Sequence, residues 1–129
     1  MSQDIIFTNK DQIVPKHENR HNPYEYFKYE ITKRDINNQC YICFYDIPPK
    51  KTAYPYHYHM ANTEVFYIIS GHGLFITPEG EREVSSGDII VLGRGPNGAH
   101  KIVNTSETEV LTYLDCDTAV SPDVVFYPD

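Results

Sequence analysis

From Tyr24 onward the chain is divided into short runs of Tyr, Phe, Ile and Val by clusters of turn-forming residues, and no segment keeps a helical period for ten residues. Runs this short, rich in aromatic and β-branched side chains, form strands rather than helices. The expected strands are 26–32, 39–47, 56–60, 64–70, 73–77, 81–84, 88–92, 99–104 and 109–116. Between them stand Pro48-Pro49, Gly71-His72-Gly73, Pro78-Glu79-Gly80, Ser85-Ser86-Gly87 and the loop Gly93 to Gly98, all residues that set or permit turn dihedrals. Many short strands joined in this way make an all-β sandwich or barrel.

The 129 residues suffice for one core. Residues 1–22 mix polar and apolar positions without a clear period, and Pro15 and Pro23 interrupt regular structure there, so this stretch reads as an N-terminal arm or a loose edge strand. Residues 23–129 then form a single β domain that includes the C-terminal tail. Eleven Lys and Arg against eighteen Asp and Glu leave a net charge of −7, a field that repels phosphate backbones and argues against a nucleic-acid partner. Only Ile5 to Phe7 are apolar near the start, too few for a signal peptide, and no run approaches the roughly 18 residues needed to cross a bilayer. A soluble, cytoplasmic protein with no membrane partner is expected. Cys40, Cys43 and Cys116 cannot all pair within the chain, so free thiols are expected.

The segment Tyr56-His57-Tyr58-His59-Met60 places two imidazoles two residues apart. On a strand that spacing puts both on one face. After the turn Ala61-Asn62-Thr63, Glu64 heads a strand whose same face carries Phe66 and Ile68. A carboxylate and two imidazoles facing an apolar interior are costly unless paired, and a divalent cation satisfies all three at once. His100, which opens the strand 99–104 with Ile102 and Asn104 on its own side, can supply a fourth ligand.

The same residues resemble the cupin superfamily. Its first motif reads H-x-H, four residues, E, six residues, G, and here His57, His59, Glu64 and Gly71 match without a gap. In the second motif Gly87, His100 and Asn104 match, but Gly93 stands where proline is usual, and the stretch between Gly87 and His100 is two residues longer than the pattern. The resemblance covers residues 40 to 120 or so, and the Pro-Tyr-His-Tyr-His run and the tail Asp123 to Asp129 are similar to a group of small single-domain cupins. It implies a double-stranded β-helix, or jelly-roll, barrel. It also implies one metal ion held by His57, His59, Glu64 and His100 in an octahedron with two positions left to water.

Three imidazoles and a carboxylate suit one divalent transition metal, Mn, Fe, Co, Ni, Cu or Zn, better than Mg or Ca. Two readings of the function follow. One is a metal-dependent oxygenase, isomerase or lyase acting on a small oxygen-rich metabolite. The other is a non-catalytic module that binds or senses a small molecule in the same barrel pocket. No separate general base can be placed from the sequence. Phe66, Ile68 and Ile102 are expected as apolar walls, with Tyr45 or Tyr113 as inward-facing candidates.

Other patterns carry less. His17-Glu18-Asn19-Arg20-His21 matches H-E-x-x-H, but Pro15 and Pro23 leave no room for the helix that pattern requires. Cys40 and Cys43 fall on opposite faces of a strand, so they do not form a zinc site. Tyr54, Tyr56 and Tyr58 are expected to form a stripe opposite the histidines, either packed on the outer sheet layer or serving a homodimer interface. His72, between two glycines, is expected in solvent.

Overall fold

The computed structural model describes residues 5–34 and 38–128. It contains eleven strands: β1 (Lys16–His21), β2 (Tyr24–Glu30), β3 (Cys40–Ile47), β4 (Tyr58–His59), β5 (Glu64–Ser70), β6 (His72–Thr77), β7 (Gly80–Ser85), β8 (Ile89–Leu92), β9 (Lys101–Val103), β10 (Leu111–Thr118) and β11 (Val125–Phe126). Among the described residues, helical structure is confined to two three-residue 3-10 turns, Lys10–Gln12 and Pro96–Gly98. Among the described residues no helix is long and apolar enough to cross a membrane.

One six-stranded sheet runs β1-β2-β3-β10-β5-β8, a second runs β7-β6-β9, and β11 pairs with β4. The paired strands are antiparallel throughout these sheets. This is the double-stranded β-helix expected from the sequence.

The barrel interior changes character along its length. Strand β3 buries every second residue, Tyr41, Cys43, Tyr45 and Ile47, and β10 buries Leu111, Tyr113, Asp115 and Asp117 in the same rhythm. Register sets Leu111 opposite Ile47 and Tyr113 opposite Tyr45, then Asp117 opposite Glu64 on the other neighbouring strand. One end of the barrel is therefore apolar and the other carries buried carboxylates.

Ile68 lies fully buried at the apolar end. Ile68→Ala is expected to lower unfolding free energy by about 2–5 kcal/mol, measured by urea denaturation, because the cavity left behind cannot close fully. A loss under about 1 kcal/mol would contradict its place in the core.

Of the two forms expected for residues 1–22, the described part takes the edge strand: Lys16–His21 is hydrogen-bonded to β2 at the margin of the six-stranded sheet. Its polar residues are nearly all exposed, so it shows no apolar alternation, and charged edges of this kind discourage further strand addition. The first four residues of the expected arm, and Asp129 of the expected tail, lie outside the described residues. Residues His17 to His21 are on this strand and not on a helix.

The tyrosine stripe dissolves. Pro55 interrupts the segment before β4, so alternation does not extend back to Tyr54. Tyr54 turns inward, hydrogen-bonds Tyr45 hydroxyl to hydroxyl at 2.8 Å, and packs against Tyr26. Tyr58 stacks on Phe126. Cys40 and Cys43 differ in burial as expected of neighbouring faces, and all three thiols are free. His72 is exposed, beside Glu109 at 3.2 Å.

Candidate metal centre

Three segments of the chain, the stretch leading into and through β4, the start of β5 and the residue before β9, deliver the four expected ligands to one place. His57 and His100 face each other across an antiparallel bridge, with His57 N–H donating to the His100 carbonyl (3.1 Å) and His100 N–H to that of His57 (2.9 Å). Their ring centroids are 4.6 Å apart. His59 follows on β4, and Glu64 heads β5 with its carboxylate against two rings, 3.0 Å from His59 Nε2 and 2.6 Å from His100 Nε2. The donor atoms of His57, His59 and Glu64 lie within 4.8 Å of one another.

The long loop before His100 is absorbed locally. Pro96–Gly98 forms a 3-10 turn, and Gly95 N–H donates to the His59 carbonyl at 2.7 Å, tying the loop to β4. Gly98 admits no side chain, since a Cβ there would run into the Gly93 carbonyl. At the glycine that closes the first motif, Gly71 has φ +89°, and its Cβ would strike the Val110 carbonyl. Asn104 is fully buried and structural: its amide donates to the carbonyls of Ile47 and Glu109, and its oxygen accepts the Ser106 N–H.

The outer partners decide which ring nitrogen faces inward. His57 Nδ1 meets the Pro55 carbonyl and His100 Nδ1 the Gly98 carbonyl, both at 2.8 Å. A carbonyl only accepts, so each Nδ1 carries the proton, and the neutral ring turns an Nε2 lone pair to the centre. His59 Nδ1 donates to Asp123 Oδ2 at 2.7 Å. Asp123 belongs to the C-terminal tail and was not singled out from the sequence. Its other oxygen accepts the Ala61 N–H, so the tail is fastened to the turn between His59 and Glu64.

Charge follows from these contacts. His59 lies between two carboxylates, and chiefly the hydrogen bond to Glu64 raises its pKa to about 9. Burial lowers that of His57, reinforced by His100. Burial works to raise Glu64, but the imidazoles of His100 and His59 outweigh it and hold the carboxyl well below the usual range.

One contact remains unresolved by the protein's own atoms. His100 Nε2 and Glu64 Oε2 are buried 2.6 Å apart, yet neither has a hydrogen-bond partner of acceptable geometry. Two lone pairs so placed repel unless a proton or a metal ion lies against both, and nitrogen and oxygen donors of this kind bind a transition-metal ion. The residues present therefore fit such an ion.

Because Asp123 orients His59, Asp123→Asn is expected to weaken metal binding about 10–100-fold in a chelator competition. Unchanged affinity would show that the ring is held without it.

The centre opens on a cavity of about 140 Å³ whose walls include Tyr45, Tyr54, Phe66, Tyr113 and Tyr127. Phe66 and both inward-facing candidates, Tyr45 and Tyr113, line it, whereas Ile68 and Ile102 pack in the core. Asp115, Asp117 and Arg34 also line it, and none of these was picked out from the sequence. Burial pushes Asp115 well above the ordinary carboxylate range and Asp117 up to about 6. A larger groove, about 590 Å³, is lined by residues of β6, β7 and β8 and of the loop up to Gly98, and by none of the histidines.

The cupin domain model matches residues 43–116, which is more than half of the chain. The chain belongs to the cupin family. No curated protein matches it in sequence. Among solved structures, a sugar phosphate isomerase of the cupin superfamily from Silicibacter pomeroyi aligns with a TM-score of 0.80 at 18% identity, covering 94% of this chain and 80% of that one. A protein from Thermotoga maritima described as a predicted oxalate decarboxylase aligns at 0.76 with 20% identity, covering 90% and 99%. A polyketide cyclase from Streptomyces resistomycificus aligns at 0.77 with 18% identity, covering 97% and 86%. Likeness at this level of identity shows the shared fold.

Proposed function

We propose that this cupin is a metal-dependent enzyme, an isomerase, lyase or oxygenase, acting on a small oxygen-rich metabolite. The observation that carries the reading is the unpartnered pair His100 Nε2 and Glu64 Oε2, set among two further imidazoles at the edge of a cavity. A divalent transition ion, when bound, would polarise a carbonyl or carboxylate oxygen of the ligand. The rest of the work falls to the chain. His57, His59 and His100 are each fixed through Nδ1, so the site is oriented before any ligand arrives. Phe66 and the inward tyrosines exclude water from one side of the cavity, and Val125 and Tyr127 from the tail flank the opening. Structural relatives described as an isomerase, a decarboxylase and a cyclase support an enzyme of this general kind.

The test measures metal content of the purified protein by mass spectrometry, together with turnover across hydroxy-ketones, enediols and small acids. His57→Ala is expected to remove both bound metal and turnover. Turnover that persists in a metal-free preparation would overturn the reading. Ligand-dependent stabilisation of about 2.7 kcal/mol at a hundredfold excess over Kd, with no product formed, would instead assign the pocket to a binding or sensing module.

A further inference from the structure

Strand β10 carries two carboxylates that the metal centre does not use. In its inward rhythm Leu111 and Tyr113 serve the core, whereas Asp115 and Asp117 continue the same face with acidic groups. Both are about 95% buried, at 5% and 4% exposure. Buried carboxylates are costly without partners, and each of these has one, Oδ1, with none. The guanidinium nearest Asp117 belongs to Arg34, 4.0 Å from Oδ2, too far for a direct hydrogen bond.

The two side chains line the same cavity as His57, His59 and Glu64, and their oxygens lie within 4.8 Å of the Glu64 carboxylate. Even with Asp115 keeping its proton, carboxyl oxygens outnumber the donors that face them there. Glu64 faces the rings of His59 and His100, and the Tyr45 and Tyr54 hydroxyls bond to each other. A ligand that satisfies the wall must therefore bring several donors of its own. Hydroxyl groups suit: they donate to a carboxylate and can also face the tyrosines. One water needs roughly 10–15 Å³, so a cavity of about 140 Å³ has room for about ten water-sized groups.

We infer that Asp115 and Asp117 form a hydroxyl-recognising subsite beside the metal centre, and that the ligand is a polyhydroxylated acid of the aldonate class. This rests on the metal-centred reading above, with the acid and its adjacent hydroxyl directed to the centre and the remaining hydroxyls to β10. Arg34 stands at the rim of the same cavity, with its side chain 55% exposed. It balances charge beside Asp117.

The test is a calorimetric titration of the metal-loaded protein with D-gluconate, D-galactonate and D-xylonate, each compared with 2-hydroxyhexanoate. All four share the α-hydroxy-acid head and differ in the remote hydroxyls. A site built to bond hydroxyls rejects the analogue without them strongly, so at least one aldonate is expected to bind over about a hundredfold more tightly. Asp115→Leu or Asp117→Leu should erase that preference while leaving metal content and 2-hydroxyhexanoate affinity unchanged, and Asp117→Asn, which keeps one acceptor, should retain part of it. Equal binding of all four, or no aldonate binding with metal in place, overturns the inference and leaves the metal reading standing. A second metal equivalent that vanishes in the Asp variants also overturns it, assigning the carboxylates to a cation. If no transition metal loads, the metal reading fails, and the subsite stands or falls on the same ratio measured without metal.

Discussion

Glu64→Gln is expected to abolish stoichiometric metal binding while leaving the barrel folded. The carboxylate contributes both the only negative charge of the four ligands and the atoms that touch His59 and His100. An amide of the same shape keeps the packing but offers a single neutral oxygen. The loss should exceed the roughly 10–100-fold that removing an outer partner costs, and mass spectrometry of the purified variant measures it. Circular dichroism checks the fold, since Glu64 lies at the start of β5 and away from the apolar end of the core. Metal retained at one equivalent would show that Glu64 is not a ligand.

Metal affinity should also rise steeply with pH. Without metal, His59 is a cation held between Glu64 and Asp123 and loses its proton only near pH 9. A metal ion must displace that proton to use Nε2. Affinity therefore climbs about tenfold per pH unit from neutrality and levels off above the pKa, with about one proton released per ion bound. The folding contribution has the opposite sign. A pKa raised above the unfolded value gives stability that is complete below about 6.5 and is lost as pH rises through about 9, so the metal-free protein forfeits the contribution of His59 over that window. Competition titrations at pH 7 and pH 8, in buffers of different ionisation enthalpy, measure both affinity and proton release. A flat profile would show that His59 is already neutral in the metal-free protein.

Much of the architecture was legible because strands announce themselves by a period of two. That period placed His57 and His59 on one face and Glu64 with Phe66 on another, and the match to the cupin motifs added His100. It failed where the backbone leaves the pleat or where one face lacks a core. Pro55 broke the alternation that would have sent Tyr54 outward, and the polar strand Lys16–His21 offered no apolar residue to count. Asp115 and Asp117 sit at regular spacing with Leu111 and Tyr113, yet the sequence could not say which of the two β10 faces is inside. The partner of Asp117 across the sheet, Glu64, is about fifty residues away in the chain.

The sequence by itself determined an all-β chain whose short strands hold three imidazoles and a carboxylate at spacings that suit a transition ion. Tertiary structure decided what those groups can do. Asp123 reaches His59 across 64 positions, and the carbonyls of Pro55 and Gly98 hold the protons of two rings on Nδ1. The direction of a lone pair depends on the partner of the opposite nitrogen. Pro55 and Gly98 each lie two residues before the ring they hold, whereas Asp123 is brought into place only when the sheets close and the tail is fastened over the site.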